Sequence, residues 1–158
     1  MQKNQFTIEW ISCRYDELPA AERALAEAAK EQAERAYAPY SNFKVGAALR
    51  LASGTIVGGA NQENAAYPSG LCAERTALFS AATQYPADAP AQMAIIALLN
   101  GVATDAPVSP CGGCRQVFTE TEQRYGRTFE LLLCGKDEVI KITASSLMPL
   151  AFGGDRVG

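Results

Sequence analysis

Cys72, Cys111 and Cys114 are the residues whose type and spacing could do chemistry, with Glu74 beside the first of them. Three thiolates can close on one zinc ion, and a tetrahedral shell then keeps a fourth position for water. A structural zinc site normally fills that position with a fourth protein ligand, so three ligands read as a catalytic centre. Cys111 and Cys114 are three residues apart, which at the start of a helix puts both sulfurs on one side. Cys72 must then come from a neighbouring helix start. Helix N-termini carry free N–H groups and partial positive charge, and both favour thiolates. Glu74 is close enough in the chain to Cys72 to handle the protons of a zinc-held water. The competing reading is a set of buried thiols or a redox Cys-x-x-Cys, but a redox pair has no use for Cys72 with Glu74 beside it.

Three thiolates and one Zn²⁺ sum to a net charge of −1, which blunts the Lewis acidity that a catalytic zinc needs. Something positive should offset it, and Arg75 is adjacent. The two remaining cysteines, Cys13 and Cys134, fall in apolar stretches and are expected to be strand or core thiols without a chemical role.

The elements that must position these residues fit into one domain spanning residues 1–158, a length that buries a sizeable core. Residues 5–11 alternate Phe6, Ile8 and Trp10 against Thr7 and Glu9, which predicts a strand. Residues 19–37 predict a helix, opened by Pro19, with Leu18, Ala21, Leu25, Ala29, Ala33 and Ala36 as a narrow stripe. Stripe residues this small imply close packing on a sheet. Residues 43–51 and 55–60 predict a hairpin turning at Ser53-Gly54. Residues 72–84 and 110–123 predict helices, and the apolar runs 93–99 and 129–134 predict strands covered on both faces. A short strand at 139–143 and a short terminal helix over 145–152 complete the chain. This order predicts an α/β fold, a three-layer α/β/α sandwich on a mixed five-stranded sheet, with a possible extra N-terminal strand in an extension over residues 1–16. Both zinc-bearing segments would begin helices that follow a strand and loop, where open α/β sheets usually place their sites.

Composition excludes several classes. The chain has no histidine, which removes Ser-His-Asp triads and His-x-x-x-His zinc sites. Five cysteines without a secretory h-region argue against a disulfide framework. A net charge of −3 and the absence of dense Lys/Arg runs argue against a nucleic-acid partner. No stretch approaches the ~18–20 apolar residues of a membrane span, so the expected location is cytoplasmic.

Three stretches carry a resemblance. They are Pro39-Tyr-Ser-Asn-Phe-Lys-Val-Gly-Ala-Ala-Leu49, Asn61-Gln-Glu-Asn-Ala-Ala-Tyr-Pro-Ser-Gly-Leu-Cys-Ala-Glu-Arg-Thr-Ala77 and Ser109-Pro-Cys-Gly-Gly-Cys-Arg-Gln116, with a weaker match at Leu147-Met-Pro-Leu-Ala-Phe152. Together they resemble the cytidine deaminase family, the short zinc-dependent type that forms homotetramers. The Pro-Cys-x-x-Cys with a non-ligand Glu is the general signature of zinc deaminases. The resemblance covers the chain from about residue 20 to its end, and the missing histidine agrees with the three-cysteine type.

The resemblance implies hydrolytic deamination of cytidine and 2′-deoxycytidine to uridine and 2′-deoxyuridine, with one zinc per chain held by Cys72, Cys111 and Cys114. It implies that Glu74 shuttles protons from water to ring N3 and then to the departing ammonia. Asn61 and Glu63 match the residues that bind ribose hydroxyls, chemistry that suits an amide and a carboxylate. Phe43 matches an aromatic that packs on the nucleoside. Phe152 matches a C-terminal Phe that reaches a neighbouring subunit's site, which implies a homotetramer with sites at its interfaces. Tyr67 is a weaker candidate near the site. Gln62 departs from the β-branched residue usual at its position and is expected to point away from substrate. The alternatives are a related aminohydrolase acting on another nucleoside, such as blasticidin S or a modified cytidine, a nucleic-acid editing deaminase, and a non-catalytic zinc module. The last has no use for Glu74 beside an open zinc position.

Overall fold

The computed structural model describes residues 1–154. Seven strands form one sheet: β1 (Ile11–Arg14), β2 (Phe43–Leu51), β3 (Ile56–Ala60), β4 (Pro90–Leu99), β5 (Val102–Ala103), β6 (Glu130–Cys134) and β7 (Glu138–Thr143). Their spatial order is β1-β7-β6-β4-β2-β3, with β5 as a short annex on β4. The β4–β6 pair is parallel and every other pair is antiparallel. The sheet is therefore mixed, as expected. It has seven strands where the sequence predicts five and one possible addition. The strand that sequence reading misses is β5, two residues formed where Asn100 and Gly101 turn the chain back on β4.

Three helices cover the two faces: α1 (Ala20–Glu34), α2 (Ala73–Gln84) and α3 (Gly112–Tyr125). On one face α1 packs Leu25, Ala26, Ala29 and Ala33 against Ala48, Ala94, Ile96 and Leu132. On the other, Ala77, Leu78 and Ala81 of α2 and Phe118 of α3 pack against Leu49, Met93, Ile95 and Leu131. The result is the expected three-layer sandwich. Ala21, placed in the α1 stripe from its spacing, is exposed, and Ala26 is buried instead.

Two glycines let the helices approach closely. A Cβ on Gly46 of β2 would overlap the Ala29 carbonyl and the Ala33 backbone of α1. A Cβ on Gly59 of β3 would overlap the Ala73 carbonyl and the Ala77 amide of α2. Alanine on the helix and glycine on the strand thus bring the start of α2 down onto the sheet beside Cys72.

Two expectations need correction. The strand predicted over residues 5–11 begins only at Ile11. Ile11 lies opposite Lys141 in antiparallel register, and β7 ends at Thr143. Residues before Glu9 therefore have no strand to pair with, and Phe6, Ile8 and Trp10 remain exposed. The terminal helix predicted over 145–152 is only a 3₁₀ turn, Ala144–Leu147. Pro149 follows it, and Leu150 takes a left-handed φ of 56°, so the helix does not continue.

Candidate active site

Cys72 and Cys111 are the N-cap residues of α2 and α3, both with extended backbone, and Cys114 lies in the first turn of α3. Each helix start is held by its own turn. Thr76 Oγ1 and N–H both donate to the Cys72 carbonyl, each at 3.0 Å. Arg115 N–H donates to the Cys111 carbonyl at 3.0 Å, and its Nε donates to the Pro110 carbonyl at 2.8 Å. Neither cysteine sulfur caps its helix, so both are free to face each other.

The three sulfurs converge as their spacing predicts. Cys72 Sγ lies 3.8 Å from Cys111 Sγ, and Cys111 Sγ lies 3.6 Å from Cys114 Sγ. All three fall within 4.8 Å of one another. A tetrahedron with zinc–sulfur bonds of ~2.3 Å has edges of ~3.8 Å, so these separations fit zinc, and they are too long for a disulfide. Among the described residues this is the one group of three or more potential metal-ligating side chains so placed.

Charge at the site is arranged for a cation. Hydrogen bonding from Cys114 and then the Arg75 guanidinium hold the Cys72 thiol down at about 5, against burial. Arg75 Nη2 donates to Cys72 Sγ at 3.4 Å. Cys114 is pushed up in turn, first by its hydrogen bond with Cys72 and then by burial. One thiolate is therefore favoured by the protein alone, and metal binding would release the remaining protons.

Glu74 is the one buried charged residue among those described, 4 % exposed. Burial raises its carboxyl above the usual carboxylate range, and the Cys72 charge adds to the effect. The Cys114 side chain and the Arg75 charge oppose that rise without cancelling it. A carboxyl raised in this way beside a metal site is suited to taking and giving protons.

Cys72 opens the sulfur cluster onto a cavity of about 460 Å³ whose wall also includes Arg75, Asn61, Glu63, Tyr40 and Tyr67, within the ~300–1,000 Å³ typical of small-molecule sites. Asn61 and Glu63 of the loop after β3 both reach this wall. Asn61 is pinned across the start of β2: its Oδ1 accepts from Val45 N–H at 2.7 Å and its Nδ2 donates to the Phe43 carbonyl at 3.0 Å. Glu63 accepts from Tyr40 N–H at 2.8 Å, from Ser41 N–H at 3.3 Å and from the Ser41 hydroxyl. These bonds, the Ser41 hydroxyl first, hold its carboxyl below the usual range, so it stays ionised. Tyr67 also lies on the wall, edge-on to Tyr40 with ring centroids 6.2 Å apart.

Two predicted residues stand apart. Phe43 is half-buried at the start of β2 and is not on the cavity wall. Phe152 is 64 % exposed, its carbonyl accepting from Gln116 Nε2 at 2.9 Å, and it does not enter the cavity of its own chain. Gln62, expected to point away, has its side chain on its own backbone at Ala60 and also contributes to the wall. Ser41 and Tyr40 are wall residues for which the sequence alone gives no role. Their position after a helix-breaking Pro39 reads only as a turn.

Comparison with known proteins agrees with this geometry. The profile of the cytidine and deoxycytidylate deaminase zinc-binding region matches residues 19–126. The cytidine deaminase of Halalkalibacterium halodurans is 43 % identical over 128 residues, covering 81 % of this chain and 91 % of that protein. That of Sporosarcina psychrophila is 43 % identical over 131 residues, covering 83 % and 90 %. The crystal structure of cytidine deaminase from Burkholderia pseudomallei superposes with a TM-score of 0.69 at 45 % identity, covering 82 % of this chain and 97 % of that one. That from Mycobacterium tuberculosis superposes with a TM-score of 0.67 at 30 % identity, covering 84 % and 97 %. With its three cysteines on two helix starts and this match across its length, the chain belongs to the cytidine and deoxycytidylate deaminase zinc-binding family.

Proposed function

We propose that the protein hydrolyses cytidine and 2′-deoxycytidine to uridine and 2′-deoxyuridine with release of ammonia. One observation carries the reading: three sulfurs spaced for zinc, with the buried carboxyl of Glu74 two residues from Cys72, meet a nucleoside-sized cavity at Cys72. Zinc held by Cys72, Cys111 and Cys114 supplies a Lewis acid that makes water acidic enough to be a nucleophile near neutral pH.

Glu74 takes a proton from the water as its oxygen adds to C4 of the base, and delivers that proton to ring N3. It then takes the proton of the new C4 hydroxyl and passes it to the amino group. The C4–N bond breaks, ammonia leaves, and the C4 carbonyl of the uracil ring remains. Arg75 offsets the negative charge of the thiolates through its bond to Cys72.

Asn61 and Glu63 hold the sugar, Glu63 by accepting from a hydroxyl. A free nucleoside is favoured over a nucleotide. Arg75 is the only cation among the described residues of the cavity wall, it is engaged with Cys72, and Glu63 would repel a phosphate. Phe43 shapes the sugar site through its backbone.

The protein acts as a single cytoplasmic domain and assembles as a homotetramer. Among the described residues no helix is long and apolar enough to cross a membrane. Leu150 and Phe152 are 88 % and 64 % exposed on the C-terminal arm, apolar surface that a neighbouring subunit would cover. In this assembly Phe152 completes the neighbour's site rather than its own. Sedimentation of the wild type and of Phe152→Ala tests the assembly.

The decisive experiment is ammonia release from cytidine by zinc-loaded protein, with Glu74→Gln as control. Release by the wild type that is lost in the variant, at equal zinc content, is the expected result. No release from folded protein carrying one zinc per chain would overturn the substrate assignment.

A further inference from the structure

Glu63, Ser41, Phe43 and Asn61 form one run of hydrogen bonds, and the Ser41 hydroxyl is its central link. That hydroxyl accepts from Phe43 N–H at 3.0 Å and donates to Glu63 Oε1. Phe43 continues the run by its carbonyl, which accepts from Asn61 Nδ2 at 3.0 Å. An ionised carboxylate can only accept, so the single Ser41 proton goes to Glu63 while Phe43 N–H takes one lone pair of the hydroxyl.

The turn that makes this possible is held from outside. Asn42, between Ser41 and Phe43, takes a left-handed φ of 54°, and its Nδ2 donates to the side chain of Asn100. Asn100 in turn sits at φ 53° in the reversal between β4 and β5. Asparagine tolerates this conformation better than most residues.

We propose that Ser41 is a positioning residue for the sugar of the substrate, acting through Glu63. The inference rests on the reading that Asn61 and Glu63 bind the sugar. A carboxylate has roughly four lone-pair positions. Tyr40 N–H, Ser41 N–H and the Ser41 hydroxyl take three of them from the turn side. The remaining one is left for a sugar hydroxyl on the cavity side, where Glu63 forms part of the wall. Glu63 is only half-buried, and its carboxylate is held by these three hydrogen bonds from the turn. Without the Ser41 hydroxyl, one oxygen is released and the carboxylate gains rotational freedom that substrate binding must remove.

The test compares cytidine with 2′,3′-dideoxycytidine, which lacks both secondary hydroxyls, for the wild type, Ser41→Ala, Ser41→Thr and Glu63→Gln. For Ser41→Ala we expect KM for cytidine to rise about tenfold with kcat within about twofold, the cost of one charge-assisted hydrogen bond. Ser41→Thr, which keeps the hydroxyl, restores KM. On the dideoxy substrate the Ser41→Ala penalty falls below about twofold. A KM in Ser41→Ala that is unchanged, or raised equally for both substrates, overturns the proposal. Glu63→Gln separates this from failure of the sugar-site reading. If its penalty vanishes on the dideoxy substrate while that of Ser41→Ala persists, only the role of Ser41 fails. If the Glu63→Gln penalty is the same on both substrates, the sugar-site reading itself fails.

Discussion

Arg75 places its Nη2 3.4 Å from the Sγ of Cys72, three residues earlier on the same helix start. The pairing is reciprocal. Cys72 is held down in part by the guanidinium, and Arg75 is raised first by its hydrogen bond to Cys72. A guanidinium gives this bond from a planar group that stays charged at every working pH, which a lysine would not reproduce.

Removing Arg75 should therefore act on the metal before it acts on the fold. Arg75→Ala is expected to weaken zinc retention about 10–100-fold, the usual range for a group that supports a metal ligand. The variant should keep its helical circular dichroism. Timed transfer of zinc to a chromogenic chelator measures the effect, and a release rate equal to that of the wild type would show that Arg75 does not support the site.

Zinc removal should lower stability as well as abolish activity. The ligands come from two helices, and the metal binds the folded arrangement far better than the unfolded chain. At free zinc ~1,000-fold above its Kd, the bound ion contributes about 4 kcal/mol. Chelation by dipicolinate should shift the urea midpoint down by a matching amount, and zinc, but not magnesium, should restore it. Cys111→Ser should show the low midpoint with or without zinc.

Gly46→Ala tests the close packing of α1 on β2. The added methyl would meet the Ala29 carbonyl and Ala33 backbone, which cannot rotate away as a side chain could. The helix must shift bodily, so a loss of at least ~2 kcal/mol is expected. Urea unfolding measures it. A loss below about 0.5 kcal/mol would mean that α1 is less tightly seated than its contacts indicate.

Much of this was legible in the sequence because it depended on local pattern. Periodicity and composition located the three helices and the five main strands. The cysteine spacing placed all three sulfurs at helix starts. What was not legible depended on a partner elsewhere in the chain. Phe6 and Ile8 continue the alternation of a strand, but β7 ends before they can pair. Residues 145–152 have helical composition, but Pro149 and the left-handed Leu150 stop them. Ser41 has the signature of a turn former, and only the fold shows that its hydroxyl reaches Glu63, 22 residues away.

Cys134 offers the last test, because it links burial to pH without touching the zinc site. It is fully buried on β6, and its thiol is pushed up from 9.0 to about 12, mainly by that burial. A folded pKa above the unfolded one means that the folded state resists ionisation. The stability this group permits is fully present below about 9 and is lost as pH rises towards about 12. At pH 10.5, about 1.5 units above the unfolded value, the loss attributable to this thiol is about 2 kcal/mol as an upper figure. Cys134→Ala removes the titrating group at the cost of a small cavity, so it should start less stable at pH 8 but lose less on going to pH 10.5. Tyr15 and the other groups titrating in this window are present in both proteins, and the difference between the two pH dependences reports Cys134 together with its charge effect on Tyr15. Urea unfolding at the two pH values reads it. Parallel losses in the two proteins would show that Cys134 does not remain neutral and buried as the structure places it.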